Sequence, residues 1–126
     1  MFSYVTIGAN NMDAAAQFYQ PVMTVLGHER YYTSPAAIAF GRDGGERTWI
    51  MEPFDGNPAR FGNGMMIALA APDRETVRKA HATALDNGGV DEGAPGLRPI
   101  YHENFYGAYV RDPTGNKLCF ICDMPE

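Results

Sequence analysis

The residues best suited to acid-base chemistry lie in one segment, from Pro99 to Tyr106, which contains Tyr101, His102 and Tyr106. An unperturbed histidine has a pKa of about 6.5, so His102 suits a general base that removes a proton alpha to a carbonyl group. Tyr101 or Tyr106 would supply the hydroxyl of such a centre. The structural alternative is a loop histidine that bonds a backbone carbonyl, and the sequence leaves both open.

A second candidate is the Cys-x-x-Cys array formed by Cys119 and Cys122, which lies at the end of an apolar run. This spacing serves redox or zinc chemistry in the right context. On a strand, however, residues three apart point to opposite faces, which opposes both a disulfide and shared metal ligation. We therefore expect two ordinary buried thiols in a reduced, cytoplasmic protein.

Charge and composition argue against several classes of partner. The formal net charge is -5 and no basic stripe is present, so we expect no nucleic acid partner. No apolar run approaches the roughly 18 residues of a membrane span, and the N-terminus lacks a secretory signal pattern. A chain of 126 residues with 45% hydrophobic residues predicts one domain with a substantial core.

The elements that must position these residues occur twice. Alternating strands from Phe2 to Ala9 and from Met65 to Ala71 each lead into a helix that ends in glycine. Apolar residues recur at helical spacing in both helices: Ala15, Phe18, Tyr19, Val22 and Leu26 in the first, and Val77, Ala80, Ala84 and Leu85 in the second. Pro21 predicts a kink or restart of the first helix, because proline lacks the N–H of an internal hydrogen bond.

Short β candidates follow each helix. They are Arg30 to Ser34, Ala36 to Phe40 and Arg47 to Met51 in the first half, and Tyr106 to Val110 and Lys117 to Ile121 in the second. Gly93 to Pro99 is predicted to be a loop, and residues 53 to 64 a Gly/Pro-rich linker. The order β-α-β-β-β thus repeats over about 1–52 and 65–126 of a single domain spanning 1–126. Two curved sheets that enclose a cleft bury both repeats most economically.

Three segments carry a resemblance to a known family: Val5-Thr6-Ile7-Gly8-Ala9 with Phe18-Tyr19, the lead-in Gly62-Asn63-Gly64, and the run Tyr109 to Lys117 with its turn Asp112-Pro113-Thr114-Gly115-Asn116. In these the chain resembles the vicinal oxygen chelate superfamily, which includes glyoxalase I, extradiol dioxygenases, and fosfomycin and bleomycin resistance proteins. The resemblance covers nearly the whole chain and implies an α+β fold of two tandem βαβββ modules with curved mixed sheets around a cleft. That fold hosts lyases, oxygenases and drug-binding proteins, so function must be argued from the site.

The resemblance also implies where a metal would bind. Metal-dependent members carry four inward-facing ligands, commonly His and Glu, two from each half, and the ion is chelated by two adjacent substrate oxygens. The His positions fall at Tyr4 and Met66 here, and the Glu position after the turn falls at Cys119. The fourth ligand lies on the strand around Trp49, in a register that the sequence does not fix, with Glu52 as the nearest carboxylate. These donors suit a divalent metal poorly, so we expect no metal and no other cofactor.

What remains is an aromatic, polarizable pocket with Tyr4, Trp49, Met66, Glu52 and Cys119 as lining candidates. Pockets of this kind bind small organic ligands, although core filling is the alternative for each residue. We predict a glyoxalase-like small-molecule-binding protein that has lost the standard metal ligands. The alternative is a lyase or isomerase, similar to lactoylglutathione lyase, or a dioxygenase, using a non-standard metal site or the His102 centre. A non-catalytic interaction domain whose cleft is closed by packing is the third hypothesis.

Two further expectations concern the ligand and the assembly. Arg60 and Arg98 each lie in a Gly/Pro loop near the predicted cleft mouth, where either is able to bind a carboxylate or phosphate. A homodimer is expected, because proteins resembling this one often dimerise, sometimes pairing half of one chain with half of another, and two-fold dimers are common.

Overall fold

Two modules of like architecture make up the computed structural model, which describes all 126 residues. Module 1 contains β1 (Tyr4–Gly8), α1 (Met12–Val25), β2 (Arg30–Ser34), β3 (Ala37–Gly41) and β4 (Arg47–Met51). Module 2 contains β5 (Ile67–Ala70), α2 (Arg74–Asp86), β6 (Val90–Leu97), β7 (Tyr106–Arg111) and β8 (Lys117–Cys122). The prediction of an α+β fold with two βαβββ modules is confirmed. Neither helix has the length and apolar character needed to span a membrane.

Each module folds into one mixed four-stranded sheet, and the two sheets have the same strand order. Sheet 1 runs β1-β4-β3-β2 and sheet 2 runs β5-β8-β7-β6. The first strand of each module pairs in parallel with the last, and the other pairs are antiparallel. A parallel pair requires a long crossover connection, which the helix and the following hairpin supply.

Each sheet has one face covered by a helix and one face left open. Helix α1 contacts β3, and α2 packs on β6, β7 and β8. Because side chains alternate along a strand, Ile7 and Ile50 point to the helix side and are buried, whereas Thr6 and Trp49 point to the other side. We call the uncovered sides open face 1, formed by Tyr4, Thr6, Gly8, Ala39, Arg47, Trp49 and Met51, and open face 2, formed by Ala68, Ala70, Gly107, Tyr109, Arg111, Lys117, Cys119 and Ile121.

Side-chain caps begin both helices. The Asn11 side chain accepts a hydrogen bond from the Ala14 N–H at 3.0 Å, and Asp73 accepts one from the Thr76 N–H at 2.7 Å. Of the kink or restart expected at Pro21, the restart is wrong, since α1 runs through this residue without a break, and the kink stays a prediction. Burial of the surrounding apolar face stabilises the helix despite the missing N–H, because helices in proteins are held mainly by tertiary packing.

Two further expectations for module 2 are corrected. Most of the predicted loop Gly93 to Pro99 belongs to β6, which pairs with β7 through two register irregularities. Glycine and proline are tolerated there because β6 is an edge strand with bulges. Leu85 was expected on the apolar face of α2 but is 38% exposed, whereas its neighbour Ala84 is fully buried.

The core lies between the helices and the helix-facing sides of both sheets. Its largest fully buried side chains are Tyr19, Phe18, Phe40, Phe120, Met23, Ile50 and Leu118. They come from both modules and form one continuous cluster, in which α1 packs against α2.

A buried carboxylate joins the two modules. Asp112 is only 4% exposed, and burying a carboxylate is costly unless hydrogen bonds compensate for the lost water. Its Oδ1 accepts hydrogen bonds from the backbone N–H groups of Thr114, Gly115 and Asn116, each at 2.9 Å. Its Oδ2 accepts one from the Tyr19 hydroxyl of α1, across 93 positions of sequence.

The same turn also holds the end of β1. The Asn116 side-chain amide donates to Oδ2 of Asp112 and to the Gly8 carbonyl, both at 2.9 Å. The Asn10 N–H donates to the Thr114 hydroxyl at 3.3 Å. The turn of module 2 thereby fixes β1 and α1 of module 1, and this explains why Phe18-Tyr19 and the Asp-Pro-Thr-Gly-Asn turn occur together in the chain.

Replacing Tyr19 with phenylalanine should lower the free energy of unfolding by about 1–3 kcal/mol at neutral pH, because a buried carboxylate loses a hydrogen-bond donor. Burial, together with the charge of Asp112 and the hydrogen bond to it, holds the pKa of Tyr19 well above its usual value. In the unfolded chain a tyrosine releases its proton above about pH 10, so the unfolded state then binds fewer protons than the folded state. The wild type therefore loses this stabilisation as pH rises from there toward the folded-state pKa.

Urea unfolding of the wild type and of Tyr19→Phe at a series of pH values checks this sign. The stability difference between the two proteins should stay constant up to about pH 9 and shrink above about pH 10. A difference that grows at high pH would contradict the assignment of Tyr19 as a buried neutral donor to Asp112.

Candidate functional site

Aromatic side chains cover the centre of open face 1. Trp49 pairs with Thr6 in β1 and with Ala39 in β3. The register of β2 shifts between Arg30 and Tyr32, and both Tyr31 and Tyr32 reach Trp49, with ring-centroid distances of 6.0 and 5.0 Å. The Trp49 indole thus contacts two tyrosine rings of β2.

The strand pairing fixes the register around Trp49 that the sequence left open. Trp49 pairs with Thr6, two positions after Tyr4. Cys119 pairs in the same way with Ala68, two positions after Met66. Trp49 and Cys119 are therefore the same position in successive modules. The four ligand positions implied by the family resemblance hold Tyr4, Trp49, Met66 and Cys119, and Glu52 lies beyond the end of β4.

These four residues do not fit the divalent ion of metal-dependent members. None offers an imidazole or a carboxylate, which are the ligands that nickel, zinc and iron(II) sites use. Burial raises the pKa of the Cys119 thiol, whereas a metal ligand has to be the thiolate. No three His, Cys, Asp or Glu side chains anywhere in the chain lie close enough together to hold one ion.

A cavity of about 590 Å³ lies over open face 2, and we call it the Tyr109 cavity. It is lined by Met66, Glu92, Gly93, Arg98, Ile100, Tyr101, Phe105, Tyr109 and Lys117. Tyr101 and Phe105 stack at a tilt with ring centroids 4.8 Å apart, so the wall of the cavity is aromatic. Burial raises the pKa of Tyr109, and neighbouring Cys119 and Tyr101 add to this, so the hydroxyl remains a neutral donor.

Two other cavities hold the remaining lining candidates. A cavity of about 800 Å³ lies at the end of sheet 1 and includes Thr6, Met51, Glu52 and Arg60 in its lining. One of about 410 Å³ is lined by residues of β1 and β5, among them Tyr4, whose ring lies 5.5 Å from the Arg47 guanidinium. Of the five predicted lining residues, only Met66 lines the Tyr109 cavity, where it lies together with the predicted catalytic residue Tyr101. Their role in binding stays a prediction.

Both ring nitrogens of His102 have hydrogen-bond partners, one in its own loop and one just after β8. Its Nε2 lies 2.9 Å from Oδ1 of Asp123, and its Nδ1 accepts the Asn104 N–H at 3.1 Å. Since Nδ1 accepts, Nε2 carries the proton and donates to the carboxylate. The ring also meets Phe105 edge-on at 5.6 Å, so His102 supports the wall of the Tyr109 cavity without lining it. To act as a base it would have to release the Asn104 N–H first, and its catalytic role stays a prediction.

Tyr106 lies on the opposite side of sheet 2 from Tyr109. It pairs with Cys122, and its hydroxyl accepts a hydrogen bond from Arg78 of α2 at 3.1 Å. The guanidinium of Arg74 lies 5.3 Å from the same ring. The structure therefore separates Tyr106 from Tyr101, although the sequence predicted both as members of one centre.

Sequence reasoning missed Tyr109 and Lys117. The signal was present in the hairpin: β7 and β8 are paired around the turn so that Tyr109 faces Cys119, and Arg111 faces Lys117. Once Cys119 is placed on the open face, the same pairing places Tyr109 beside it.

Comparison with protein-family models matches residues 2–120 to the Glyoxalase/Bleomycin resistance protein/Dioxygenase superfamily. The chain belongs to this superfamily. The family resemblance recognised in the sequence is thereby confirmed. No curated protein matches the chain.

Solved structures of the superfamily share the fold. A glyoxalase/bleomycin resistance protein from Albidiferax ferrireducens T118 is 33% identical, with 95% of this chain and 96% of that chain covered and a TM-score of 0.85. A glyoxalase-related enzyme from Fulvimarina pelagi is 20% identical, with 96% and 86% covered and a TM-score of 0.75. A lactoylglutathione lyase from Agrobacterium tumefaciens is also 20% identical, with 96% and 92% covered and a TM-score of 0.66.

Both thiols should react slowly with alkylating reagents in the folded protein, because each is buried in a different part of it. Cys119 lies under Tyr109 on open face 2, whereas Cys122 lies in the core on the helix side, and both are buried. Because burial raises the pKa of Cys119, iodoacetamide at pH 8 should alkylate it slowly. Tyr109→Ala should accelerate labelling at Cys119 by at least about tenfold and leave Cys122 unchanged, as read by peptide mass spectrometry. Rapid labelling of Cys119 in the wild type would contradict the geometry described for this face.

Proposed function

We propose that the chain binds a small organic molecule in the Tyr109 cavity and does so without a divalent metal ion. The observation that carries this proposal is the cavity itself, whose lining combines polar groups with the apolar side chains of Met66, Ile100, Tyr101 and Phe105. Its volume of about 590 Å³ lies within the range of small-molecule sites. Apolar walls with a few placed polar groups are typical of such sites.

The polar groups of the cavity are suited to a ligand. Tyr109 lines the cavity together with the cationic side chains of Arg98 and Lys117, which both lie near its ring. Glu92 is the one acidic side chain of the lining. Buried or half-buried tyrosine hydroxyls need partners, and a ligand is able to supply one. Tyr101 is 61% exposed, so its ring is available to be covered.

The metal-independent part of the proposal is supported by the donor set. Tyr4, Trp49, Met66 and Cys119 occupy the ligand positions, and an enediolate-stabilising ion would have no imidazole or carboxylate there. Binding through aromatic and cationic side chains needs no ion.

We further propose a homodimer in the cytoplasm. Exposed apolar side chains lie on or beside both open faces: Tyr4 at 55% and Tyr32 at 44% on sheet 1, and Met66 at 43% in the cavity over sheet 2. In a dimer, open face 1 of one chain would cover open face 2 of the other, so that the Tyr109 cavity gains a second wall. Two free cysteines, neither in a disulfide, are consistent with a reducing compartment.

A thermal-shift screen of small organic molecules on chelator-treated protein tests the binding proposal. A molecule that raises the Tm should lose most of its effect in Tyr101→Ala, because half of the Tyr101-Phe105 aromatic wall is removed. Phe54→Ala is the matched control, since Phe54 is fully exposed and lines the cavity of about 800 Å³ instead.

The control also separates the competing hypotheses. Loss of the effect in Phe54→Ala alone would place the ligand at the end of sheet 1 and overturn the proposed site. A ligand effect that appears only after nickel, zinc or iron(II) is added would overturn metal independence and favour the lyase or dioxygenase alternative.

A further inference from the structure

We propose that the ligand of the Tyr109 cavity is an organic acid, with an aromatic or other planar body beside its acidic group, and that Arg98 and Lys117 bind that group. This inference rests on the proposed function, in which the cavity binds a small organic molecule. It adds the chemical class of the ligand and the residues that select it.

Two positive charges share one aromatic ring in this cavity. The Arg98 guanidinium carbon and the Lys117 ammonium nitrogen each lie 5.5 Å from the centroid of the Tyr109 ring. A cation over a ring face is attracted by the ring quadrupole, so Tyr109 helps to hold both side chains in place. Arg98 and Lys117 both line the cavity, so an acidic group bound there meets a positively charged lining.

Neither cation has an acidic partner. The ion pairs of the chain engage other cations, and none includes Arg98 or Lys117. Glu92 lines the same cavity, but its carboxylate accepts a hydrogen bond from Arg111 Nε at 2.8 Å. A chain with a net charge of -5 thus keeps two positive charges without an ion-pair partner at one cavity.

The guanidinium of Arg98 is held in place before any ligand binds. Its Nη2 donates to the Ala94 carbonyl at 2.7 Å and its Nη1 to the Leu97 carbonyl at 3.5 Å. A Cβ at Gly96 would lie 3.1 Å from Nη1 of Arg98, and one at Gly93 would lie 3.4 Å from its Nη2. A side chain at either glycine would therefore crowd the guanidinium. Guanidinium has five N–H donors, and those that remain are available to an acidic oxygen. A fixed arginine loses less entropy on binding than a free one.

The apolar wall selects the body of the acid. Ile100 is 84% exposed and Tyr101 is 61% exposed, while Phe105 stacks on Tyr101 at the back of the wall. A planar ring that covers these side chains would remove apolar surface from water while its acidic group meets the cations.

The test uses three probes that share one ring system: 2-naphthoate, its neutral amide 2-naphthamide, and 2-naphthyl phosphate. Isothermal titration calorimetry on the wild-type protein at low salt should give an affinity for the carboxylate or the phosphate at least about tenfold above that for the amide. The comparison of the two acids separates carboxylate from phosphate as the group that is recognised. The affinity for the acid, and not for the amide, should fall as salt is added.

Variants identify the residues. Arg98→Gln and Lys117→Gln should each weaken binding of the acid by about tenfold and leave the amide unchanged. Arg60→Gln is the matched control, because Arg60 lines the cavity at the end of sheet 1, and it should change neither affinity. Lys117→Gln keeps the test valid if Arg98→Gln lowers the Tm.

The failures of the two proposals are distinguishable. Equal affinity for acid and amide, or variants without effect, would overturn the acid inference and leave small-molecule binding standing. No binding of any probe would overturn the acid inference, and together with a thermal-shift screen without hits it would overturn both proposals.

Discussion

One buried carboxylate determines how the two halves of this chain fit together. Asp112 closes the turn between β7 and β8 through three backbone N–H groups and reaches Tyr19 in the first helix. A buried carboxylate is destabilising when it loses its hydrogen bonds. The donors to Asp112 therefore hold the turn, α1 and the end of β1 in one relative geometry. Because α1 then packs against α2, both helices are used in the core that joins the modules.

This use of the helices leaves one face of each sheet uncovered. The candidate ligand-binding side chains lie at those faces. They are Trp49 and its tyrosine neighbours on sheet 1, and Tyr109 and Lys117 on sheet 2 with Arg98 beside them. The superfamily fold supplies the scaffold for a metal in some members, whereas this chain has aromatic, thioether and thiol groups at the corresponding positions. We propose that open face 2 of this chain binds an organic molecule directly, without an ion.

The sequence predicted the fold well because the repeat, the helical periodicity and the turn are local signals. It failed at Gly93 to Pro99, where glycine and proline indicate a loop and only pairing with β7 makes an edge strand. Within the candidate site, Met66 and Tyr101 were predicted from position and residue type. The location of Tyr109 depends on strand register across a hairpin, and the separation of Tyr106 depends on which face of sheet 2 meets α2. Neither the location of Tyr109 nor the separation of Tyr106 can be predicted from the sequence until the strand pairing of sheet 2 is known.

We propose that a small molecule occupies the Tyr109 cavity over open face 2 in the absence of a metal. The most direct measurement is an amide chemical-shift titration of isotopically labelled, chelator-treated protein with 2-naphthoate. We expect saturable shifts that cluster on residues 98–105 and on Tyr109 and Lys117, and that stay unchanged when a divalent metal is added. Shifts that require the metal, or that cluster instead around Thr6, Glu52 and Arg60, would contradict the proposal.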